Sequence, residues 1–138
     1  MSGVVYVTRR ESFSAAHRLY NPAWSDERNQ AVFGQDANPN GHGHTYTLEV
    51  TVRGRVDPET GMVIDLRELR DVIRETLIAK LDHAHLNLDV DFLAGLLPSA
   101  ENVAVACWRE LAARLGPGRL YRVRLWESEN NSVEYYGD

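Results

Sequence analysis

The stretch HGHTYTLEVTVRG, residues 42–54, decides the fold of this chain, because its side chains alternate in character along the backbone. One set is His44, Tyr46, Leu48, Val50 and Val52, and the other is Thr45, Thr47, Glu49, Thr51 and Arg53. A period of two is that of a β-strand with one apolar and one polar face. The stretch VVYVTRRESFSAAH, residues 4–17, is rich in β-branched and aromatic residues and predicts a strand that pairs with the first as a hairpin.

Helical spacing takes over after the turn DPETG, residues 57–61. Apolar residues follow a 3.6-residue period through the stretch of residues 65–85, and Asp65 is a good N-cap. A second helix is predicted from Ser99, just after Pro98, to the GPG at residues 116–118. Strand character returns in residues 120–136, with a hairpin turn predicted at ENNS, residues 129–132.

The order of two strands, two helices and two strands predicts an α+β fold. We expect a four-stranded antiparallel sheet with both helices on one face, in a single domain spanning residues 1–138. Such an open sheet leaves two edges and one bare face, which we expect oligomerisation to cover.

Composition excludes several classes of function. The formal charge of -5 makes a broad nucleic-acid-binding surface unexpected. No apolar run approaches the roughly 20 residues that span a bilayer, so no membrane partner is expected. The single cysteine, Cys107, excludes an intrachain disulfide and lies on the apolar stripe of the second helix, where we expect it in the core. The N-terminus lacks the pattern of a signal peptide, so we expect a cytoplasmic protein.

Three histidines form a candidate metal site. His42 and His44 are two residues apart on a strand and therefore point the same way. His17 ends the first strand, and a hairpin would bring it close to them. Three neutral imidazoles with an open fourth position describe a catalytic zinc site. The histidine pair by itself is also compatible with an exposed polar turn.

Two further places carry polar residues that local rules do not explain. Asp82, His83 and His85 lie where the first helix ends, either as helix C-terminal residues or as an acid/base histidine oriented by a carboxylate. Glu127 lies on the apolar side of its strand, where an unpaired charge is costly. Its partner is either an arginine or a ligand with two adjacent N–H donors, and the helix start at SAEN, residues 99–102, could contribute nearby.

Six motifs in order resemble the 6-pyruvoyl-tetrahydropterin synthase family, which includes the 6-carboxy-tetrahydropterin synthases of queuosine biosynthesis. They are FSAAHRL (residues 13–19), NPNGHGHTY (38–46), DPETGMVIDL (57–66), LDHAHLNLD (81–89), SAENVAV (99–105) and ESENN (127–131). The resemblance covers nearly the whole chain and implies the T-fold, a sheet that joins into a barrel, in a homo-hexamer built as a dimer of trimers. It also implies that sites lie at subunit interfaces.

The resemblance implies the roles of individual residues. They are zinc ligands at His17, His42 and His44, an acid/base pair at Asp82 and His83, and pterin contacts at Glu127, Ser99, Ala100 and Glu101. The implied activity is that of a zinc-dependent lyase acting on 7,8-dihydroneopterin triphosphate, with zinc as Lewis acid. Loss of triphosphate would give the 6-pyruvoyl product, and side-chain cleavage would give the 6-carboxy product, for tetrahydropterin or queuosine biosynthesis.

Asp36 is the departure from the family pattern. The catalytic cysteine of the family belongs six residues before the first histidine of the pair, and this chain has Asp36 there. Asp36 could act as a weaker base for a related lyase reaction. It could instead redirect the reaction to 6-hydroxymethyl-dihydropterin for folate synthesis, or act as a fourth metal ligand in a zinc- and pterin-binding module without efficient catalysis. It could also be an ordinary loop residue that the motif alignment misplaces.

Overall fold

The long hairpin predicted from residues 4–17 and 42–54 is the centre of the computed structural model, which describes residues 3–138. The first two residues of the predicted domain lie outside this range. Strand β1 is Val4–His17 and strand β2 is His42–Arg55. They pair antiparallel along their whole length, with Val4 opposite Arg55 and His17 opposite His42. The predicted pairing of the two strands is therefore confirmed, and its register places His17 directly opposite His42.

The sheet has five strands, so the prediction of four is wrong. Strands β4, Leu120–Ser128, and β5, Asn131–Tyr135, form the predicted second hairpin. The additional strand β3, Ala84–His85, runs parallel to β1, and the order is β3-β1-β2-β4-β5. A two-residue strand has no periodicity of its own, because only its partner strand defines it.

Two helical segments cover one face of the sheet, as predicted. The first begins as α2, Leu66–Ile73, continues as a π-helical stretch over Arg74–Ile78 and ends as α3, Ala79–Leu81. The second is α4, Ala100–Leu115. The first segment contacts β1, α4 contacts β4 and β5, and α2 also contacts α4. The core between helices and sheet includes fully buried side chains from each layer, among them Leu48, Val50, Leu69, Cys107 and Leu125.

The segment between β1 and β2 is structured, although no helix was predicted there from the sequence. It contains α1, Asp26–Phe33, followed by a 3₁₀ turn, Gly34–Ala37. The Ser25 side chain caps α1 by accepting from the Arg28 N–H, and the buried Asn29 side chain ties the helix to the Asn21 main chain. The helix is held by these polar contacts rather than by an apolar stripe, which explains why hydrophobic periodicity did not predict it.

The opposite face of the sheet carries polar and charged side chains. Arg10 pairs with Glu49 at 2.8 Å, Arg124 pairs with Glu134 at 3.3 Å, and the Thr8 and Thr51 hydroxyls lie 2.7 Å apart. Coverage of this face and of the sheet edges by other copies of the chain stays a prediction. No helix within residues 3–138 combines the length and the apolar character needed to cross a bilayer.

Candidate metal centre

The β1–β2 register brings the three predicted histidines together. His17 lies directly opposite His42, and His44 lies two residues further along the same face of β2. The ring centroids are 4.5 Å apart for His17 and His42, 5.1 Å for His17 and His44, and 4.8 Å for His42 and His44. One ring nitrogen from each lies within 4.8 Å of the other two. The predicted convergence of the triad is therefore confirmed.

Glycines permit the chain to bend at this place. Gly41 has a φ of +72°, and a Cβ there would lie 3.0 Å from the His17 carbonyl oxygen and 3.3 Å from His85 Nε2. A Cβ on Gly43 would lie 3.2 Å from the Ala15 carbonyl oxygen. The two glycines of the GHGH motif thus allow β2 to approach β1 and β3 closely.

The protonation state of His17 follows from its surroundings. Its ring is 1% exposed, and Nδ1 lies 2.8 Å from the Pro98 carbonyl oxygen. Because a carbonyl oxygen can only accept, Nδ1 carries the proton and Nε2 keeps its lone pair. Burial lowers the pKa of His17, although the Pro98 contact opposes the shift, so the ring is neutral at physiological pH. Nε2 of His17 lies 3.0 Å from His42 Nε2 and points toward the triad.

His44 supplies the clearest indication that a metal fits. Its Nε2 is buried and has no hydrogen-bond partner within residues 3–138. A buried polar atom without a partner costs about 1–3 kcal/mol, and coordination to an ion would offset that cost. Ligand nitrogens around a tetrahedral zinc, bonded at about 2.0–2.1 Å, lie roughly 3.3 Å apart, close to the spacing of the His17 and His42 nitrogens. Three imidazoles and no thiolate match the ligand set of a catalytic zinc site.

Two carboxylates flank the triad at different edges. Asp36 Oδ1 lies 3.7 Å from His42 Nε2, and Glu127 Oε1 lies 3.8 Å from His44 Nε2. The Asp36 side chain is 54% exposed and that of Glu127 is 31% exposed. The Asp36 main chain is held in place because its carbonyl oxygen accepts from the Leu19 N–H at 2.8 Å. Asp36 therefore lies next to the histidine triad, and its role there stays a prediction.

Glu127 shares a cleft with the start of α4. The cleft, of about 190 Å³, is lined by Glu127, Ala100 and Glu101 together with residues of β5. Ser99 lies beside it as the N-cap of α4, accepting from the Asn102 N–H at 3.2 Å. Within residues 3–138, the basic side chain within ion-pair distance of Glu127 is His44 rather than an arginine. Three of the four predicted pterin-binding residues thus line one cleft, and their role in binding stays a prediction.

The structure does not bring Asp82 and His83 into contact with the triad. Asp82 accepts from the Ser14 N–H at 2.9 Å, and its other oxygen lies 3.7 Å from His83 Nε2. His83 has a φ of +63° and a side chain that is 85% exposed. It shares a shallow depression beside β1 with His44, but no bond joins the two within the described part of the chain. In one protomer this pair is displayed to solvent.

Two other candidate residues lie outside the metal centre. His85 belongs to β3, and its Nδ1 accepts from the Asn87 N–H at 3.3 Å. Cys107 is fully buried in α4, and burial raises the pKa of its thiol to about 12. A thiol in that state is a poor nucleophile, which confirms the expectation that Cys107 is a core residue.

Two groups of the site were missed from the sequence. The Pro98 carbonyl orients His17, but a main-chain oxygen has no signature in the residue pattern. The Tyr46 hydroxyl lies 3.4 Å from His17 Nδ1. Strand alternation could have predicted this proximity, because Tyr46 follows His44 by two residues and lies on the same face of β2.

Comparison with known proteins supports the same family. The family model for 6-pyruvoyl tetrahydropterin synthase matches residues 6–138. The 6-pyruvoyl tetrahydrobiopterin synthase of Homo sapiens is 48% identical over 132 residues, covering 96% of this chain and 91% of that protein. The dihydroneopterin monophosphate aldolase of Pyrococcus furiosus is 32% identical over 126 residues, covering 91% of each.

A solved structure extends the likeness to the whole fold. The 6-pyruvoyl tetrahydropterin synthase of Caenorhabditis elegans matches with a TM-score of 0.94 and 38% identity, covering 99% of this chain and 98% of that one. The subunit architecture of the T-fold implied by the sequence motifs is therefore confirmed, and its assembly into a barrel stays a prediction. On the family match, the close relatives and the shared architecture, this chain belongs to the 6-pyruvoyl tetrahydropterin synthase family.

Proposed function

We propose that this protein is a zinc-dependent pterin lyase that acts on 7,8-dihydroneopterin triphosphate and forms 6-pyruvoyl- or 6-carboxy-tetrahydropterin. The observation that carries the proposal is the buried, unpartnered Nε2 of His44, which faces the neutral ring of His17 and lies beside Glu127. The human relative is named a 6-pyruvoyl tetrahydrobiopterin synthase, which supports the pyruvoyl product. When bound by the triad, zinc would supply Lewis-acid chemistry toward substrate oxygens.

Glu127 anchors the pterin in this proposal. The aminopyrimidinone edge of a pterin presents two adjacent N–H donors, which one carboxylate can accept together. The cleft between Glu127 and the start of α4 leaves that carboxylate accessible, and Glu127 lies 3.8 Å from His44, so a pterin bound there would lie beside the proposed metal ligands. Binding in the Glu127 cleft therefore directs the side chain of the substrate across the triad.

Asp36 is the proposed proton acceptor at the other edge of the triad. Reference pKa values of about 8.5 for cysteine and about 3.9 for aspartate differ by about 4.6 units, which is roughly 6 kcal/mol less drive to accept a proton. Asp36 lies 3.7 Å from His42, in reach of a substrate held at the triad. We therefore expect slower proton abstraction than with a cysteine at the same place.

His83 and Asp82 would complete the site across a subunit interface. The His83 side chain is 85% exposed, and Asp82 lies 3.7 Å from it, so the pair is available to another copy of the chain. We propose a homo-hexamer, as a dimer of trimers, in which this pair transfers protons at a neighbouring triad. The backbone of His83 is left-handed, a conformation that few residues other than glycine adopt without a local constraint, so the direction of its side chain is restricted.

A second candidate function is side-chain cleavage of dihydroneopterin species to 6-hydroxymethyl-dihydropterin. Asp36 in the cysteine position favours it, and so does the 32% identical relative from Pyrococcus furiosus, which is named an aldolase. A third reading, in which Asp36 closes the metal site and the protein only binds zinc and pterin, predicts no turnover of any pterin.

Product analysis separates these functions. The zinc-loaded protein is incubated with dihydroneopterin triphosphate or dihydroneopterin, and products are identified by mass spectrometry. A pyruvoyl or carboxy product supports the lyase, a hydroxymethyl product supports the cleavage reaction, and no product supports the binding module. Asp36→Cys is expected to raise lyase turnover, whereas Asp36→Asn, which cannot accept a proton, is expected to lower it. Equal rates for wild type and Asp36→Asn would refute the role of Asp36 as the base.

A further inference from the structure

Tyr46 lies directly beneath the histidine triad and is fully buried. It follows His44 by two residues on the same face of β2 and lies opposite Phe13 of β1. The Tyr46 and Phe13 rings stack with centroids 4.8 Å apart and planes at 12°. The hairpin register and this stacking together fix the position of the Tyr46 hydroxyl.

The Tyr46 hydroxyl lies 3.4 Å from Nδ1 of His17. Because the Nδ1 proton is already donated to the Pro98 carbonyl at 2.8 Å, this nitrogen has no lone pair to offer. The hydroxyl oxygen is therefore the second, longer acceptor of the same N–H. The Tyr46 ring also meets the His17 and His44 rings edge-on, with centroids 6.1 Å and 5.6 Å away.

From these contacts we infer that Tyr46 is a positioning residue of the metal centre, acting through His17 and His44. The inference rests on the zinc site of the proposed function. A second acceptor on the Nδ1 proton holds the imidazole in one tautomer and one plane, and it makes the opposite nitrogen more basic. The Tyr46 ring limits rotation of His44, whose Nε2 has no hydrogen-bond partner among the described residues.

The Tyr46 hydroxyl is enclosed by the protein. Burial, and then the negative charge of Glu127, raise the pKa of Tyr46 above its ordinary value. Its effect on His17 comes from its position as the second acceptor of the Nδ1 proton. Its neighbour His44 lies 3.8 Å from Glu127, so Tyr46 is linked through His44 to the proposed pterin anchor.

Zinc affinity of the full-length Tyr46→Phe variant tests the inference. This change removes the hydroxyl and keeps the stacked ring. Loss of a group that orients a metal-ligating histidine typically weakens metal binding by about 10–100-fold, and we expect about tenfold because the contact is long. The dissociation constant is measured by competition with a chromophoric chelator, and the visible spectrum of the Co²⁺-substituted protein is expected to change. Tyr135→Phe, which removes a hydroxyl bonded to the Asp138 carbonyl, is the matched control and should bind zinc like wild type.

A purely structural role would give a different result. In that case Tyr46→Phe would lower the melting temperature of the metal-free protein and leave zinc affinity and the cobalt spectrum unchanged. Phe13→Leu provides a second variant, because it removes the stacking partner and keeps the hydroxyl, and it should weaken zinc binding by a smaller factor. Wild-type zinc affinity in both variants would overturn the inference alone, whereas weak zinc binding by wild type itself would overturn the proposed function with it.

Discussion

The proposed zinc site predicts that zinc stabilises this protein against heat and that His44→Ala removes most of this stabilisation. The triad offers three ring nitrogens within 4.8 Å of one another, and His44 Nε2 is buried without a partner in the described residues. An ion that binds the folded chain alone stabilises it by mass action, so the loss of one of three ligands should remove most of the effect.

The size of the effect can be worked out from the length of the chain. Zinc held at a hundredfold its dissociation constant contributes about 2.7 kcal/mol. The entropy of unfolding, about 2.1 cal/mol/K per residue, amounts to roughly 290 cal/mol/K over 138 residues. The ratio predicts that zinc raises the melting temperature by about 9 °C in wild type and by less than about 2 °C in His44→Ala.

Differential scanning calorimetry of metal-free and zinc-loaded protein measures this shift. His83→Ala is the matched control, because it removes a histidine that is 85% exposed and lies outside the triad. The control should keep the full zinc shift even though catalysis is expected to fall. A full shift in His44→Ala, or its loss in His83→Ala, would refute the assignment of the ligands.

Three further results are expected. Gly41→Ala should destabilise the protein by about 1–2 kcal/mol more than Gly61→Ala, as measured by urea denaturation. Both glycines have a left-handed backbone conformation, but only at Gly41 would a Cβ press against the His17 carbonyl. Equal losses of stability would contradict this. Glu127→Gln should weaken pterin binding by calorimetry about 10–100-fold, as expected for a charged hydrogen bond, while Glu129→Gln in the neighbouring turn should bind normally. Burial raises the pKa of the Cys107 thiol to about 12, so its linked contribution to stability is fully present below pH 9 and is lost as pH rises from 9 toward 12. Between pH 8 and pH 10, wild type should therefore lose on the order of 1 kcal/mol more stability than Cys107→Ala, and parallel losses would argue against that shift.

Much of the fold could be predicted because its main elements carry their own periodicity. The alternation in residues 42–54 and the composition of residues 4–17 predicted β2 and β1, and the capped, 3.6-periodic stretches predicted the helical segments that begin at Leu66 and Ala100. Each of these elements buries one face, and burial of a face is what leaves a periodic pattern in a sequence.

The elements that were missed lack such a pattern. Helix α1 is held by the Ser25 cap and by the side chain of Asn29 rather than by an apolar stripe. Strand β3 exists because Ala84 and His85 meet Ala15 and Ala16, and that meeting depends on where the preceding helix ends. Contacts between residues almost 70 positions apart cannot be read from local spacing.

The sequence by itself determined which donors are available to the candidate site. His42 and His44 share a strand face because alternation requires it, and His17 and Asp36 were identified as partners from their motifs. Only the tertiary structure decided how these groups are presented. The Pro98 carbonyl, 81 positions from His17, fixes its tautomer, and the packing of α4 against β4 forms the cleft in which Glu127 is accessible. Residue types determine the chemistry that is available at the site. Burial and long-range contacts determine the protonation state of each group, the direction of its lone pair and which groups come into contact.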